Sequence, residues 1–373
     1  MPRILHTADW QIGRQYDRFG PEDGPALAEA RLHTVERIAT LATERAVDAV
    51  LVAGDVFDAQ TISDRTIRRL FNAMQGFTGP WIMIPGNHDA ALAESIWTRA
   101  RRLNAIPEHV HIALTPEIML FAEQGLAILP APLTQRQTFN DLTEWFDQAD
   151  TPPELLRIGI AHGSVQGILA ADIDSPNPID PQRAERAQLD YLALGDWHGC
   201  RQINDRTWYS GTPEQDRFKS NDAGYLLDVT IEAPGAAPRV TPVAIGEFPW
   251  LQWQQQLDLP SDLDALIAKL EAVERSSVIS LTVTGELDLE GEQRLHDALG
   301  RAQARHRVLE CHLEGLRLIP TDADIATLQA DGYLGEVIGQ LRELQQGADP
   351  DTAREALVLL AGLLRDRQQG ASV

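Results

Sequence analysis

The sequence is poor in cysteine, in basic residues and in long hydrophobic runs. Its two cysteines, Cys200 and Cys311, lie far apart and match no zinc or redox spacing, which favours two buried thiols in a cytoplasmic protein. No uncharged apolar stretch is long enough to cross a bilayer. Asp9 arrives before the apolar region of a signal peptide could form. We therefore expect a cytoplasmic protein without a membrane segment.

Acidic residues outnumber basic residues by 55 to 32, which gives a formal net charge of -23. Proteins that bind nucleic acid along their whole surface normally show a basic excess, so this composition argues against such an affinity. The charge does not exclude a local basic groove, or a metal site that meets phosphate. An acidic surface could also face a basic partner.

The order of apolar segments predicts the architecture. A length of 373 residues is too great for one compact core and indicates two or three domains. In the first two-thirds, strand-like runs at residues 3–8, 49–54 and 81–84 alternate with helical patterns such as residues 27–45. After Ile106 the segments shorten and become rich in β-strand patterns. We therefore predict a layered α/β fold with sheets inside and helices outside.

A stretch rich in proline, glycine and alanine, residues 232–250, suggests a domain boundary. The predicted domains are residues 1–247, a small α/β module at 248–320, and C-terminal helices at 321–373. The C-terminal helices carry apolar stripes at helical spacing. These stripes consist of Leu334, Val337, Ile338 and Leu341, followed by Leu357, Leu360 and Leu364.

Polar side chains follow several of the apolar strands in the first 200 residues. A Gly-Asp pair after one strand is usually a turn, and a lone histidine is more often structural than a ligand. Together they form a stronger signal, because loops at the ends of neighbouring strands converge. Oxygen and imidazole ligands suit Mn, Fe, Zn or Mg. The polar residues that follow these strands are Asp9, Gln11, Asp55, Asn87, His88, His162, Asp196 and His198.

The blocks "DWQIG", "GDVFD", "GNHD", "AHG" and "GDWHG" occur in this order and resemble the signature of the calcineurin-like metallophosphoesterases. "ILHTADWQIG", "GDVFDAQTIS" and "WYSGTPEQDRF" are similar to the branch of DNA double-strand-break repair exonucleases that includes the nuclease subunit of bacterial SbcCD. The resemblance covers residues 1–231 well. It implies a four-layer αββα sandwich with a small α/β cap domain and a C-terminal helical segment.

The resemblance also implies two divalent metal ions and their ligands. One ion would be held by Asp9, Gln11, Asp55 and His198. The other would be held by Asp55, Asn87, His162 and Asp196, so that Asp55 bridges the two. Two such cations activate a bridging water and neutralise both the attacking and the leaving oxygen of a phosphodiester. His88 would steady the phosphoryl oxygens or protonate the leaving oxygen.

The sequence departs from the family at two ligand positions. Gln11 and Asp196 stand where the family usually has histidine. An amide oxygen and a carboxylate are harder ligands than imidazole, so we expect Mn to be favoured, with Mg, Fe and Zn as alternatives. A weak first metal position with low activity is the other interpretation. Because His88 and Asp55 remain, we favour an altered but working site.

Two arginine clusters follow the metal motifs and could face a phosphate backbone. The alternative, equally weighted, is that they belong to solvated helix faces. The clusters are Arg65, Arg68 and Arg69, and then Arg99, Arg101 and Arg102.

These features predict a two-metal DNA phosphodiesterase of DNA repair, acting as an exonuclease or endonuclease through a hydroxide that bridges the metals. The partners implied are DNA and an SMC-like ATPase subunit, which the C-terminal helices would contact. The alternatives for these helices are packing on their own domain or forming a homodimer. The alternative functions are hydrolysis of small or cyclic nucleotides, or a weakly active scaffold subunit.

Overall fold

The computed structural model describes residues 1–168, 176–218, 221–319, 321, 333–345, 350, 352–353, 355–360 and 363. The chain divides into two units, Met1–Pro249 and Trp250–Val373. Much of the predicted C-terminal segment, including Leu364 and the side chain of Leu334, lies outside the described residues. The division into three domains at 247 and 320 stays a prediction.

The first unit is built on two large sheets. Its strands are β1 (Arg3–Thr7), β2 (Ala49–Ala53), β3 (Trp81–Ile84), β4 (Val110–Ile112), β5 (Met119–Phe121), β6 (Leu126–Ala131), β7 (Leu156–His162), β8 (Ser164–Val165), β9 (Pro178–Ile179), β10 (Tyr191–Gly195), β11 (Arg201–Gln202), β12 (Thr207–Tyr209), β13 (Tyr225–Thr230) and β14 (Arg239–Ala244). The first sheet has the order β14-β13-β1-β2-β3-β4, and the second has the order β11-β12-β10-β7-β6-β5. Strands β8 and β9 form a separate parallel pair.

Helices cover the outer faces of both sheets. They are α1 (Asp23–Glu44), α2 (Asp64–Ala73), α3 (Ile96–Arg102) and α4 (Arg183–Arg186), and the 3₁₀ turns are Met74–Gly76, Ala122–Gln124 and Glu144–Gln148. Helix α1 buries Val35 and Ile38 against Val50 of the first sheet. On the far side of the second sheet, Phe146 and Ala184 belong to another buried cluster.

The two sheets pack face to face through a third apolar cluster. Ile4 and Leu51 of the first sheet meet Ile158 and Tyr191 of the second, and all of them are buried. Together with the outer helices, this core gives the layers α, β, β and α. The predicted four-layer sandwich is therefore confirmed.

Parallel pairing brings the carboxyl ends of the central strands to one edge. Strands β1, β2 and β3 are parallel neighbours in the first sheet, and β7 and β10 are parallel neighbours in the second. Asp9, Asp55 and Asn87 lie just after the first three strands. His162 ends β7, and Asp196 follows β10. The fold therefore gathers the predicted ligands at one end of the sandwich.

The second unit contains a parallel sheet, β15-β16-β17, formed by β15 (Trp250–Leu257), β16 (Val278–Leu287) and β17 (Val308–Leu318). Helices α5 (Pro260–Ala272) and α6 (Leu289–Arg305) bury Leu266 and Leu299 in the same core as Leu281. The helices and strands of the second unit agree with the α/β character expected for residues 248–320. Strand β15 was not recognised as a separate strand, because exposed glutamines on one face interrupt its apolar run.

Helix α7 (Tyr333–Gln345) belongs to the predicted C-terminal helices. Ile338 is buried, whereas Tyr333 and Leu344 are exposed. Among the described residues, no helix combines the length and apolar character that a membrane crossing requires.

His6 links the two sheets below the cluster of ligands. Its Nε2 donates to the carbonyl of Leu194 over 3.1 Å, and its Nδ1 therefore accepts from the hydroxyl of Tyr191 over 2.9 Å. The side chain is fully buried, and burial lowers its pKa to about 3. The imidazole is thus neutral, and each of its nitrogens makes one hydrogen bond.

Replacing His6 by glutamine should weaken the dependence of stability on pH. The folded pKa of His6 lies near 3, while the unfolded chain protonates this histidine near its ordinary value of about 6.5. Because the unfolded state then binds more protons, stability is lost as the pH falls from about 6.5 toward about 3. Between about pH 7 and pH 5, the wild type should lose about 2 kcal/mol more than His6→Gln. Urea unfolding of both proteins measures this difference, and equal losses would contradict the assignment.

Candidate metal centre

Three of the predicted ligands form a compact, buried cluster. Asp9, Asp55 and His162 each present a ligand atom, and these atoms lie within 4.8 Å of one another. All three residues are buried. They come from loops or strand ends of both sheets, so the cluster exists only because the sandwich brings these ends together.

The loops that carry the ligands have an unusual backbone. Asp9, Gln11, Asp55 and Asp196 all have positive φ angles, of 54°, 44°, 51° and 101°. Residues other than glycine rarely adopt this region, and they keep it only where the surrounding structure imposes it. Two hydrogen bonds between the loops of Asp9 and Asp55 stabilise this conformation. The backbone amide of Asp9 donates to the carbonyl of Gly54 over 3.0 Å, and the backbone amide of Gln11 donates to the carbonyl of Asp55 over 2.9 Å. The carboxylates are therefore held in place before any ligand binds.

Two glycines allow the loops to approach one another. Gly54 has a φ of +89°, and a Cβ there would lie 2.3 Å from Nδ1 of His162. A Cβ at Gly86 would lie 2.2 Å from a carboxylate oxygen of Asp55. Any side chain at either position would push a ligand out of the cluster.

His162 directs one nitrogen into the cluster. Its Nδ1 donates to the carbonyl of Ala53 over 2.8 Å, which leaves Nε2 as the ligand atom. This Nε2 lies 2.8 Å from Oδ1 of Asn87, 3.6 Å from Asp55 and 3.8 Å from Asp196. Three members of the predicted second set, Asp55, Asn87 and Asp196, therefore lie within 3.8 Å of Nε2 of the fourth, His162.

The charges of the cluster fit a divalent cation. Burial and, to a smaller extent, the carboxylates of Asp55 and Asp196 raise the pKa of Asp9 to about 6, against the opposing effect of His198 and His162. Burial alone would lower the pKa of His162, yet the carboxylates of Asp55, Asp9 and Asp196 raise it to about 9. Such shifts mark a donor set with an excess of negative charge. A divalent cation with oxygen and imidazole ligands would balance it.

His88 lies beside the cluster without belonging to it. Its backbone amide donates to Asp55 over 2.9 Å, and its Nδ1 donates to the carbonyl of Asp58 over 2.7 Å. Its Nε2 lies 3.9 Å from the other oxygen of Asp55. Since the side chain is 40% exposed, Nε2 is accessible to a substrate at the mouth of the site.

Asp89 ties two of the ligand loops together. One carboxylate oxygen accepts the backbone amides of Val56 and Phe57, and the other accepts that of Gly86 over 2.7 Å. The side chain is fully buried. Asp89 therefore fixes the loop that holds Asp55 against the loop that holds Asn87, a role that the sequence did not reveal.

The other side of the site contains an ion-pair network. Oε1 of Gln11 accepts from Arg14 over 2.7 Å, and Nε2 of Gln11 lies 3.3 Å from Nε2 of His198. Asp216 lies 3.3 Å from Arg14 and 3.5 Å from Nδ1 of His198. Burial opposes ionisation of Asp216, but His198 and Arg31 hold its pKa well below the usual range. Sequence reasoning missed this network. The only signal for Asp216 was its place in the block "WYSGTPEQDRF".

A cavity of about 390 Å³ opens beside the ligand cluster. It is lined by Asp58, Ala59, Asn87, His88, Arg136, Gln137, Pro176, Asn177 and Asp196. Arg136 brings a positive charge to this cavity and was not among the predicted arginines. The cavity thus brings together His88, the candidate general acid, the predicted ligands Asn87 and Asp196, and the positively charged side chain of Arg136.

The predicted arginine clusters lie on α2 and α3, and several of these arginines make contacts within the protein. Arg69 pairs with Glu29 over 2.9 Å, and Arg102 pairs with Glu94 over 2.6 Å. Arg99 lies 3.3 Å from Asp64. Arg68 donates to the carbonyl of Leu103 over 3.1 Å. Among the residues that line the 390 Å³ cavity, none of the six predicted arginines is found, including Arg65 and Arg101.

Replacing Asp55 by asparagine should abolish tight binding of Mn²⁺. The change keeps the shape of the side chain but removes the charge at the centre of the cluster, and we expect a loss of at least about 100-fold in affinity. Isothermal titration with Mn²⁺ measures this effect. Asp64→Asn is the matched control, because it removes the same charge from a side chain that is 59% exposed. Similar affinities in Asp55→Asn and the wild type would contradict the proposed centre.

Three relatives are similar to parts of this chain. The SbcCD nuclease subunit of Bacillus subtilis is 26% identical over 61% of this chain and 65% of the relative. The protein of the same name in Rhodobacter capsulatus is 42% identical over 24% of this chain and 22% of the relative. "DNA double-strand break repair protein Mre11" of Methanosarcina acetivorans is 24% identical over 62% of this chain and 37% of the relative. The matches thus span less than two-thirds of each relative.

The family described as "Calcineurin-like phosphoesterase" matches residues 2–196. This range covers more than half of the 373 residues, and it contains Asp9, Asp55, Asn87 and His162 as well as the central strands of both sheets. The match agrees with the signature blocks and with the four-layer sandwich. The chain therefore belongs to the calcineurin-like phosphoesterase family.

Proposed function

We propose that this protein is a cytoplasmic, metal-dependent DNA phosphodiesterase of DNA repair. The observation that carries the proposal is the buried cluster of Asp9, Asp55 and His162, with His88 at the edge of the adjoining cavity. Buried carboxylates that converge with an imidazole are the donor set of a metal centre that acts on phosphoesters.

Two divalent cations fit the residues at this site, and Mn²⁺ is the favoured ion. Asp9, Gln11, Asp55 and His198 would hold one cation. Asp55, Asn87, His162 and Asp196 would hold the other. When bound, these cations supply Lewis-acid activation of water and neutralise the charge of the phosphodiester.

His88 has the geometry of a proton donor to the leaving oxygen. Its Nδ1 is committed to the carbonyl of Asp58, so only Nε2 can exchange a proton with a substrate in the cavity. The hydrogen bond from the backbone amide of His88 to the carboxylate of Asp55 fixes the position of the imidazole relative to the cluster. A protonated Nε2 would stabilise the charge that develops on the leaving oxygen and would then transfer its proton.

DNA is the proposed substrate because two of the relatives are named as nucleases and a third as a DNA repair protein. The net charge of -23 does not oppose this proposal, since the contacts needed are local. Arg136 lines the cavity, and a guanidinium there could contact a phosphate next to the scissile bond.

A partner protein is proposed because two relatives carry the name of one subunit in a complex. The C-terminal helices are the proposed contact with an SMC-like ATPase. Tyr333, Leu344, Leu359 and Leu363 are between 54% and 78% exposed, and large apolar side chains at such exposure favour a docking surface. Size measurements of the chain alone would distinguish this arrangement from a homodimer.

Degradation of end-labelled linear duplex DNA in Mn²⁺ tests the proposed activity. We expect cleavage by the wild type and a loss of about 100- to 10,000-fold in His88→Ala, because a positioned acid contributes about that much. His33→Ala is the matched control, since His33 is 49% exposed on α1. If the folded, metal-loaded wild type hydrolyses a cyclic nucleotide but not DNA, the proposal of DNA as the substrate is wrong and a small nucleotide takes its place.

Arg136→Ala should weaken the use of DNA more than the loss of any arginine in the predicted clusters. We expect KM for DNA to rise about 10-fold with a smaller change in kcat, because Arg136 lines the cavity and would contact phosphate. Arg69→Ala serves as the control, since Arg69 pairs with Glu29, and it should change KM less than about 3-fold. Steady-state kinetics on a short duplex measures both, and the reverse order of effects would assign the DNA contact to α2.

A further inference from the structure

We propose that Arg14 makes the two metal positions unequal, so that the position beside Gln11 and His198 binds a divalent cation more weakly than the position beside Asn87 and His162. This inference rests on the proposed function, because it concerns the same metal centre. It assigns a role to a residue outside both ligand sets.

Arg14 engages the atom of Gln11 that a metal would need. Its Nη1 donates to Oε1 of Gln11 over 2.7 Å. An amide can coordinate a cation only through its oxygen, because the amide nitrogen carries no available lone pair. In the arrangement observed, this nitrogen is the atom that faces Nε2 of His198, at 3.3 Å. Coordination by Gln11 beside His198 therefore requires that the amide turn its oxygen toward His198, which breaks the hydrogen bond from Arg14.

Carboxylates hold Arg14 in this position. Asp216 lies 3.3 Å from Nη1 of Arg14, and Asp58 lies 3.7 Å from it. The side chain of Asp216 is only 1% exposed, and the buried Arg31 lies 3.5 Å from the same oxygen of Asp216. A fixed, buried carboxylate anchors the guanidinium, so withdrawal of Arg14 breaks an ion pair as well as a hydrogen bond.

Arg14 also opposes a second cation by its charge. A guanidinium stays protonated at any ordinary pH. The hydrogen bond to Gln11 places this positive charge directly beside Oε1, the atom that would bind the cation. A divalent cation bound by Gln11 and His198 would lie close to this positive charge. At such distances like charges repel strongly, even with the high effective dielectric constant of a protein surface.

Arg136 lines the cavity beside the other metal position, but in the part of the chain that the structure describes no arginine donates a hydrogen bond to Asn87 or His162. Nε2 of His162 meets Asn87 over 2.8 Å and lies 3.6 Å from Asp55, and these partners are ligands rather than cations. At this position Nε2 of His162 already faces the oxygens of Asn87 and Asp55. The position beside His198 instead needs Gln11 and Arg14 to rearrange.

The consequence is ordered binding. At low free metal the protein would hold one cation, beside His162. The second would enter only at higher concentration, when its binding offsets the loss of the contacts of Arg14. The occupancy of the position beside Gln11 and His198 would then depend on the concentration of free metal, whereas the position beside His162 would stay filled.

Titration of the metal-free protein with Mn²⁺ tests this inference without reference to activity. Isothermal calorimetry gives the affinity of each position, and electron paramagnetic resonance detects the coupling that appears when both are filled. In the wild type we expect one tight and one weak position. In Arg14→Ala, and in Arg14→Met, which retains most of the length of the side chain, the weak position should tighten by about 10- to 100-fold.

Arg18→Ala is the matched control, because it removes the same charge from the same loop. Its guanidinium lies 4.4 Å from the ring centroid of Phe19 and not on Gln11. It should change neither affinity more than about 3-fold. Two equally tight positions in the wild type, or a weak position that stays weak in both Arg14 variants, would overturn the inference while leaving the proposed function intact. Failure of the wild type to bind any Mn²⁺ would overturn both.

Discussion

Buried carboxylates at the junction of two sheets are the constraint on which the structure of this site depends. Asp9 and Asp55 are almost fully buried, and burial of a charge without a partner is very unfavourable. The raised pKa values of Asp9 and His162 are the protein's own response to this cost. A cation resolves it more completely, which is why the donor set and the burial together indicate a metal centre rather than a polar core.

The scaffold positions these carboxylates through the backbone. The parallel strands end at one edge of the sandwich, where the predicted ligands follow them. Residues with positive φ angles then direct these side chains inward. Gly54 and Gly86 remove the side chains that would keep the loops apart. Asp89 closes the arrangement by accepting three backbone amides from two loops. The predicted ligands are thus pre-organised by contacts within the protein itself.

Local patterns predicted sheets enclosed by helices and the convergence of the polar side chains, while the resemblance to the calcineurin-like family implied the four-layer sandwich. Apolar runs followed by Gly-Asp or Asn-His identify strand ends, and such ends meet at the edge of a parallel sheet. The contacts of Arg14 could not be predicted in this way. They depend on Asp216, which lies about two hundred residues further along the chain and acts only through tertiary packing.

The limits of local pattern also explain the other differences. Strand β15 was missed because the glutamines on its exposed face interrupt the apolar run that marks a strand in sequence. The arginines on α2 and α3 follow the metal motifs in sequence, yet Arg69 and Arg102 pair with nearby acidic residues. Arg136 follows no motif, but the fold brings it to the cavity.

His162 gives the centre a mechanical connection to the whole sandwich. It belongs to β7 of the second sheet, yet its Nδ1 donates to Ala53 in β2 of the first. The same ring therefore joins the two sheets with one nitrogen and offers the other to a cation. Whatever binds at Nε2 stabilises this bridge, and by linkage it stabilises the folded state in proportion to the logarithm of its concentration. A cation held at Nε2 would thus make the melting temperature of the sandwich rise with the concentration of free metal.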